Sequence, residues 1–269
     1  MKLHGQVAVL TGAASGIGRA TALALAQRGC HLALADIDTA GLADTAAAAA
    51  AQGVPVSQHR LDVASRDAVA ALPTAVLAQH GRVSLLVNNA GVALGGSFDQ
   101  VAEADFDWLM DINFHGLVRM TRAFLPLLRQ QPVARIVNIS SVYGLIAPPE
   151  QTAYAAAKFA VRGFSHALRH ELAGSTVGMT VVHPGGVATN IARRARLPAD
   201  AAPADVQARL ALAEKMLRLS PERAAATIVR GIEADRARVL VGGDAHFIAA
   251  LERLMPVRYW SVLARLLPA

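Results

Sequence analysis

"VAVLTGAASGIG", residues 7–18, is the stretch from which the fold can be read. An apolar run, "VAVLT" (7–11), passes directly into "TGAASGIG" (11–18), whose glycines at 12, 16 and 18 bracket a turn that opens the Ala/Leu-rich segment "GIGRATALALAQRG" (16–29). The first run reads as a buried strand and the last as a helix ending at Gly29. Glycine suits the turn between them for two reasons. The chain needs unusual backbone angles there, and a pyrophosphate has to reach backbone amides without meeting a Cβ. A second strand, "HLALAD" (31–36), then ends in an acid, and this context turns a weak glycine pattern into a dinucleotide site.

The same alternation continues outward. "VPVSQHRLD" (54–62), "VSLLVNNAG" (83–91), "ARIVNISS" (134–141), "MTVVHPG" (179–185) and "ARVLVGG" (237–243) complete seven strand candidates with helix-length spacers, the alanine run 46–51 among them. Such spacing predicts an α/β chain, a single domain over 1–269, with a doubly wound, seven-stranded parallel sheet and helices on both faces. Residues 189–220 break the rhythm and predict a helical, substrate-binding insertion. Residues 244–269 form an amphipathic tail carrying Phe247, Leu251, Leu254, Trp260, Leu263 and Leu267 between Arg253, Arg258 and Arg265.

Composition sets limits. The 269 residues are 54% hydrophobic but only 4% aromatic, so the core is built from Ala, Val and Leu. A lone cysteine, Cys30, excludes an intramolecular disulfide and a thiolate metal cluster. The opening "MKLHGQVAVLTGAASG" does not read as a secretory signal, and no apolar run is long enough for a membrane span. A soluble, cytoplasmic protein is the expectation. The net charge of +6 is spread in single and paired basic residues, densest at Arg193, Arg194 and Arg196, with no aromatic platform beside them. Nucleic acid is therefore not an expected partner.

Asp36 lies 18 residues after Gly18. A carboxylate there accepts bonds from the adenosine ribose hydroxyls and repels a 2′-phosphate, which favours NAD(H) over NADP(H). Ser15 and Ile37 flank the phosphate position without offering a cation. In the plainer alternative, Asp36 is a strand-end turn residue and Asp38 a helix cap. "YAAAK" (154–158) sets a phenol and an ammonium at i and i+4 on one helix face. An alcohol/ketone interconversion needs a group that exchanges a proton with the substrate oxygen. An ammonium about 4 Å from the phenol would favour the phenolate by roughly 4 kcal/mol at an effective dielectric near 20, bringing an ordinary pKa of about 10 within reach of neutral pH.

"TGAASGIG", "NNAG" (88–91), Asn113 in "MDINFHG", "NISS" (138–141), "YAAAK" and "PGGVAT" (184–189), in this order over roughly the first 190 residues, resemble the short-chain dehydrogenase/reductase family in its compact single-domain branch. The resemblance implies a Rossmann fold and an NAD(H)-dependent oxidoreductase interconverting a hydrophobic secondary alcohol and its ketone. Tyr154 is then the general acid/base, Lys158 its partner and a ligand of the nicotinamide ribose. Ser141, 13 residues before Tyr154, holds the substrate oxygen in preference to Ser140, and Asn113 positions a water in a proton relay.

By the same resemblance, Gly12, Ser15, Gly16, Ile17 and Gly18 cradle the phosphates, Asp36 and Ile37 meet the adenosine, and Asp62 and Val63 edge the adenine. Asn89, Ala90 and Gly91 pass the ribose, with Asn88 bracing the central strands. Val187 and Thr189 meet the carboxamide of the nicotinamide, Gly185 and Gly186 let the chain pass close to its ring, and Pro184 counts with them as cofactor-binding.

Alternatives are an NADP(H)-dependent carbonyl reductase and a non-catalytic dinucleotide-sensing protein. Related enzymes imply a homo-oligomer, a dimer or tetramer. Val142, Tyr143, Leu145, Ile146 and Ile191 suggest an apolar substrate pocket. Arg193, Arg194 and Arg196 suit either recognition of a carboxylate or phosphate, or plain solvation. The basic amphipathic tail fits packing over the site mouth or against another subunit better than a membrane surface. His166 and His170, at i and i+4 beside Glu171, lack the pattern of a metal motif, so no metal is expected.

Overall fold

The computed structural model describes residues 1–198 and 201–266. Seven strands, β1 (Val7–Thr11), β2 (His31–Asp36), β3 (Val56–Arg60), β4 (Leu85–Asn88), β5 (Ala134–Ile139), β6 (Val177–Pro184) and β7 (Arg238–Val241), form one sheet in the order β3-β2-β1-β4-β5-β6-β7. Every pairing is parallel. The chain runs outward from β1 to β3, then returns to place β4 on the other side of β1. The crevice at that reversal, beyond the carboxyl ends of the strands, is where open α/β sheets bind ligands.

The inner strands are buried on both faces, so their side chains serve two cores in alternation. Ala8, Leu10, Leu32 and Leu34 pack toward α1 (Gly16–Ala26), α2 (Thr39–Ala50) and α8 (Pro221–Glu233). Val9, Ala33, Leu86 and Ile136 pack toward α3 (Arg66–His80), α5 (Leu117–Leu128) and α6 (Thr152–Glu171). Small residues on α1 and α2, such as Ala22, Ala46 and Ala49, bring those helices close to the sheet. No helix among the described residues is long and apolar enough to cross a membrane.

Two expectations change. The insertion over 189–220 is helical only in α7 (Pro203–Met216). Its first part makes turns over 190–194, after which Arg196 spends its backbone on a neighbouring loop. Its amide donates to the Ala93 carbonyl at 3.1 Å, and its carbonyl accepts from the Gly95 amide at 2.9 Å. The tail is two helices, α9 (Gly243–Leu254) and α10 (Tyr259–Leu266), interrupted where Pro256 cannot continue the first. Residues 199–200 of the expected insertion and 267–269 of the expected tail, Leu267 among them, lie outside the described residues.

α4 (Glu103–Met110) runs into α5 through one π-helical turn, Asp111–Gly116, which contains Asn113. A short 3₁₀ turn, Val142–Gly144, follows Ser141.

Candidate active site

The strand ends gather the expected residues around one crevice. At the end of β1 the chain turns through Gly12 (φ 68°) and Gly16 (φ 54°), left-handed angles that favour glycine. The reason for two of the glycines differs from the sequence argument. A Cβ on Gly12 would lie 2.7 Å from Asn89 Nδ2, and one on Gly18 would collide with the Gly12 carbonyl. The chain's own packing thus already demands glycine there.

Asn89 tightens the turn by donating from Nδ2 to the carbonyls of Thr11 and Gly12, both at 3.0 Å. The amides of Asn89 and Ala90 both donate to Thr11 Oγ1.

α1 starts differently from its neighbours. Asp38, Ser65 and Ser220 cap α2, α3 and α8 with their side chains. Ser15 makes no such bond, and the first turn of α1 carries no acid. Uncapped amides at a helix start favour an anion.

At the end of β2, Asp36 accepts from the amides of Ala14 (2.9 Å) and Asp38 (2.9 Å). This fixes the carboxylate beside the glycine turn with lone pairs to spare. Ile37 is exposed there, Val63 is buried, and Asp62 caps its own turn by accepting from the Ala64 amide. These features suit the pyrophosphate and adenosine ribose of a dinucleotide.

Asn88 is structural. It is buried and donates to Asn138 Oδ1 (2.9 Å) and Thr121 Oγ1 (3.2 Å), tying β4 to β5 and α5.

α6 presents Tyr154 and Lys158 one turn apart, as the spacing predicts. Lys158 is buried, its Nζ donating to the Ile139 carbonyl at 3.2 Å and lying 5.5 Å from the Tyr154 ring centroid. Tyr143 stacks edge-on against Tyr154 at 6.1 Å. Asn113 is buried nearby, its Oδ1 accepting from the Val92 amide (2.8 Å) and its Nδ2 donating to the Val92 carbonyl (2.9 Å). Ser140 and Ser141 separate cleanly. Ser140 is buried and donates to the Lys158 carbonyl, holding β5 to α6. Ser141 Oγ accepts from the Tyr143 amide at 3.1 Å and reaches the Tyr154 hydroxyl.

The acidity expected of Tyr154 is reversed in this geometry. Burial pushes the phenol up to about 12, with the Ser141 hydroxyl pulling it partly back and Tyr143 adding to the rise. Burial likewise pushes the Lys158 ammonium down to about 8. The cation lies over the ring with a carbonyl as its close partner, so desolvation outweighs its help to a phenolate.

The "PGGVAT" segment is clasped from the far end of the chain. The Gly185 amide donates to the Val241 carbonyl (2.9 Å), the Gly186 amide to Asp244 Oδ2 (2.6 Å), and the Ala188 amide to the Leu219 carbonyl (2.8 Å). Thr189 closes over the glycine turn, its Cγ2 within 3.0 Å of where a Gly16 Cβ would stand. Val187 is buried and Pro184 ends β6.

This geometry and the family comparison agree. A family pattern described as short chain dehydrogenase matches residues 6–199. The chain belongs to the short-chain dehydrogenase/reductase family.

SadH of Mycobacterium tuberculosis is 48% identical over 264 residues, covering 97% of this chain and 95% of its own. A short-chain dehydrogenase/reductase from Burkholderia phymatum, solved in complex with NAD, superposes with a TM-score of 0.88 at 33% identity, covering 95% of each chain. A short-chain dehydrogenase from Mycobacterium paratuberculosis, bound to NAD, superposes with a TM-score of 0.78 at 26% identity, covering 90% of this chain and 97% of its own. The chain is therefore an oxidoreductase with a dinucleotide-binding fold.

Three features of this dehydrogenase lay beyond sequence reasoning. Asp244 anchors Gly186 from 58 residues away. His183, fully buried, bonds the Ser141 carbonyl. The clustered arginines 193, 194 and 196 are spent within the molecule: Arg193 pairs with Glu214 (2.6 Å), Arg194 approaches Asp38 (3.8 Å), and Arg196 bonds Asp105 (2.8 Å) while lying 3.6 Å over the Trp108 ring.

The tail reaches the site's rim, where the Ala147 amide donates to the Tyr259 hydroxyl at 3.0 Å. His166 faces Arg162, Arg169, Arg238 and His170, a positive surrounding that repels a cation.

Proposed function

We propose that this dehydrogenase interconverts a hydrophobic secondary alcohol and its ketone with NAD(H). The observation that carries the reading is the convergence of Ser141, Tyr154 and Lys158 at the carboxyl end of β5, beside a glycine turn with an uncapped helix start. When bound, a nicotinamide cofactor supplies or removes the hydride. Asp36 holds the adenosine ribose, the amides at the start of α1 take the pyrophosphate, and Gly185, Gly186, Val187 and Thr189 meet the carboxamide.

Ser141 orients the substrate oxygen by hydrogen bonding. Tyr154, which burial keeps protonated at neutral pH, donates its proton to that oxygen in reduction and takes it back in oxidation. Lys158 holds a positive charge near the phenol and meets the nicotinamide ribose, and Asn113 steadies the loop behind it through Val92. Tyr143 and Val92 supply apolar surface for the substrate, whereas Leu145 and Ile146 are buried in the core.

NAD(H) is preferred because Asp36 stands at the end of β2 and because relatives of this fold were solved with NAD. One observation speaks for NADP(H): the Arg194 guanidinium near Asp38 brings a cation to the adenosine end of the crevice. Dissociation constants for NADH and NADPH decide between them, and tighter NADPH binding refutes the assignment of Asp36.

Turnover is tested on a panel of secondary alcohols and ketones, repeated with Tyr154→Phe. The variant is expected to bind cofactor and lose turnover, and activity surviving the substitution refutes the role of the phenol. Leu254, Val257 and Leu266 are exposed on the tail, apolar surface that a second copy of the chain would cover. A monomer in sedimentation velocity refutes a homo-oligomer.

A further inference from the structure

β6 ends at Val182-His183-Pro184, and His183 has no exposed surface. Its Nδ1 lies 2.9 Å from the Ser141 carbonyl oxygen. A carbonyl only accepts, so Nδ1 carries the ring proton and Nε2 holds a bare lone pair. That Nε2 is buried and has no hydrogen-bond partner among the described residues. The neighbouring charges are Arg238 on β7, and Arg162 and His166 on α6, all of which oppose a second proton. Burial in this setting holds the imidazole neutral, without a second proton, down to about 4.

The bond sits where the sheet runs out. The last rung between β5 and β6 is the Ser140 amide to the Val182 carbonyl, at 2.8 Å. One residue further, Ser141 leaves the ladder and starts the 3₁₀ turn, where its carbonyl accepts from the Gly144 amide at 3.0 Å. The His183 side chain fills the second lone pair. The ladder is thus extended by one side-chain rung between Ser141, just beyond the end of β5, and His183, just before the carboxamide segment that follows β6.

We propose that His183 is a positioning residue for Ser141. Its single donor, fixed at Nδ1, pins the peptide from which the Ser141 hydroxyl projects toward Tyr154. The inference rests on the proposed alcohol/ketone chemistry, because a positioned hydroxyl matters only if it orients a substrate oxygen. A misplaced catalytic group costs turnover more than cofactor affinity.

Two substitutions separate donor from volume. His183→Asn keeps an amide donor near the Nδ1 position, and His183→Leu fills the space without one. With NADH and the best ketone of the panel, His183→Leu is expected to lose kcat by roughly 10- to 100-fold while its Kd for NADH stays near wild type. His183→Asn is expected to recover most of that loss.

A His183→Leu enzyme that turns over like wild type, or a His183→Asn enzyme as slow as His183→Leu, overturns the proposal. ¹⁵N imidazole NMR of the wild-type protein gives a readout free of both turnover and variant folding. A neutral, Nδ1-protonated His183 is expected at pH 6, and the Nε2-protonated tautomer or an imidazolium overturns the proposal.

Normal His183→Leu turnover alongside an inactive Tyr154→Phe sinks this inference alone. A wild-type protein inactive on the whole panel sinks the functional reading and the positioning role with it.

Discussion

His183 makes stability depend on pH in a calculable way. In the unfolded chain its imidazole takes up a proton near the ordinary value of 6.5, whereas the folded environment refuses it down to about 4. Between those values the unfolded state binds the extra proton, so stability falls as pH falls, and no further loss from this group follows below about 4. The difference corresponds to roughly 2 to 3 kcal/mol lost between pH 7 and pH 4.5.

The perturbation is His183→Asn, which keeps a donor for the Ser141 carbonyl and removes the titration. Urea unfolding of both proteins at pH 7 and pH 4.5, followed by Trp108 and Trp260 fluorescence, gives the two stability changes. Other acid-sensitive groups, such as His59, His80 and His166, are common to both proteins and cancel in the difference. The wild type is expected to lose roughly 2 to 3 kcal/mol more than the variant. Equal losses would refute a neutral, buried His183.

Three further outcomes test other parts of the molecule. Gly18→Ala forces a Cβ against the Gly12 carbonyl and toward Asn89 Nδ2; the glycine turn must open, so the unfolding free energy is expected to fall by about 1–3 kcal/mol and NADH affinity with it, and an unchanged Kd by fluorescence titration argues against that packing. Arg196→Met removes the bond to Asp105 and the contact with Trp108 that hold the 189–220 insertion to α4; losing about 1 kcal/mol of that attachment is expected to raise the substrate KM roughly fivefold, an effect that shrinks in high salt, and a salt-independent KM refutes the role of the ion pair. Because oxidation needs Tyr154 without its proton and burial pushes that phenol up to about 12, kcat for alcohol oxidation is expected to climb as pH rises above neutrality; a pH-independent oxidation rate contradicts this.

The fold was legible because its signals are local. Alternating apolar runs and helix-length spacers gave seven parallel strands, and the glycine positions identified the β1–α1 turn, since period and backbone freedom are properties of neighbouring residues. The Tyr154 and Lys158 pair was equally local, one turn apart on α6. Element ends were less legible. Residues 189–220 read as a long helical insertion with two prolines, but Arg196 pairs instead with the chain at Ala93 and Gly95, which no local pattern records.

By itself, then, the sequence determined the parallel sheet, the glycine turn after β1 and the residue types of the candidate site. Tertiary structure alone decided what surrounds them. It brought His183 to Ser141 from 42 residues away and Asp244 to Gly186 from 58. It also set the acidity of Tyr154, because the cost of burying a charge depends on everything packed around it, whereas helical spacing fixes only which side chains are neighbours.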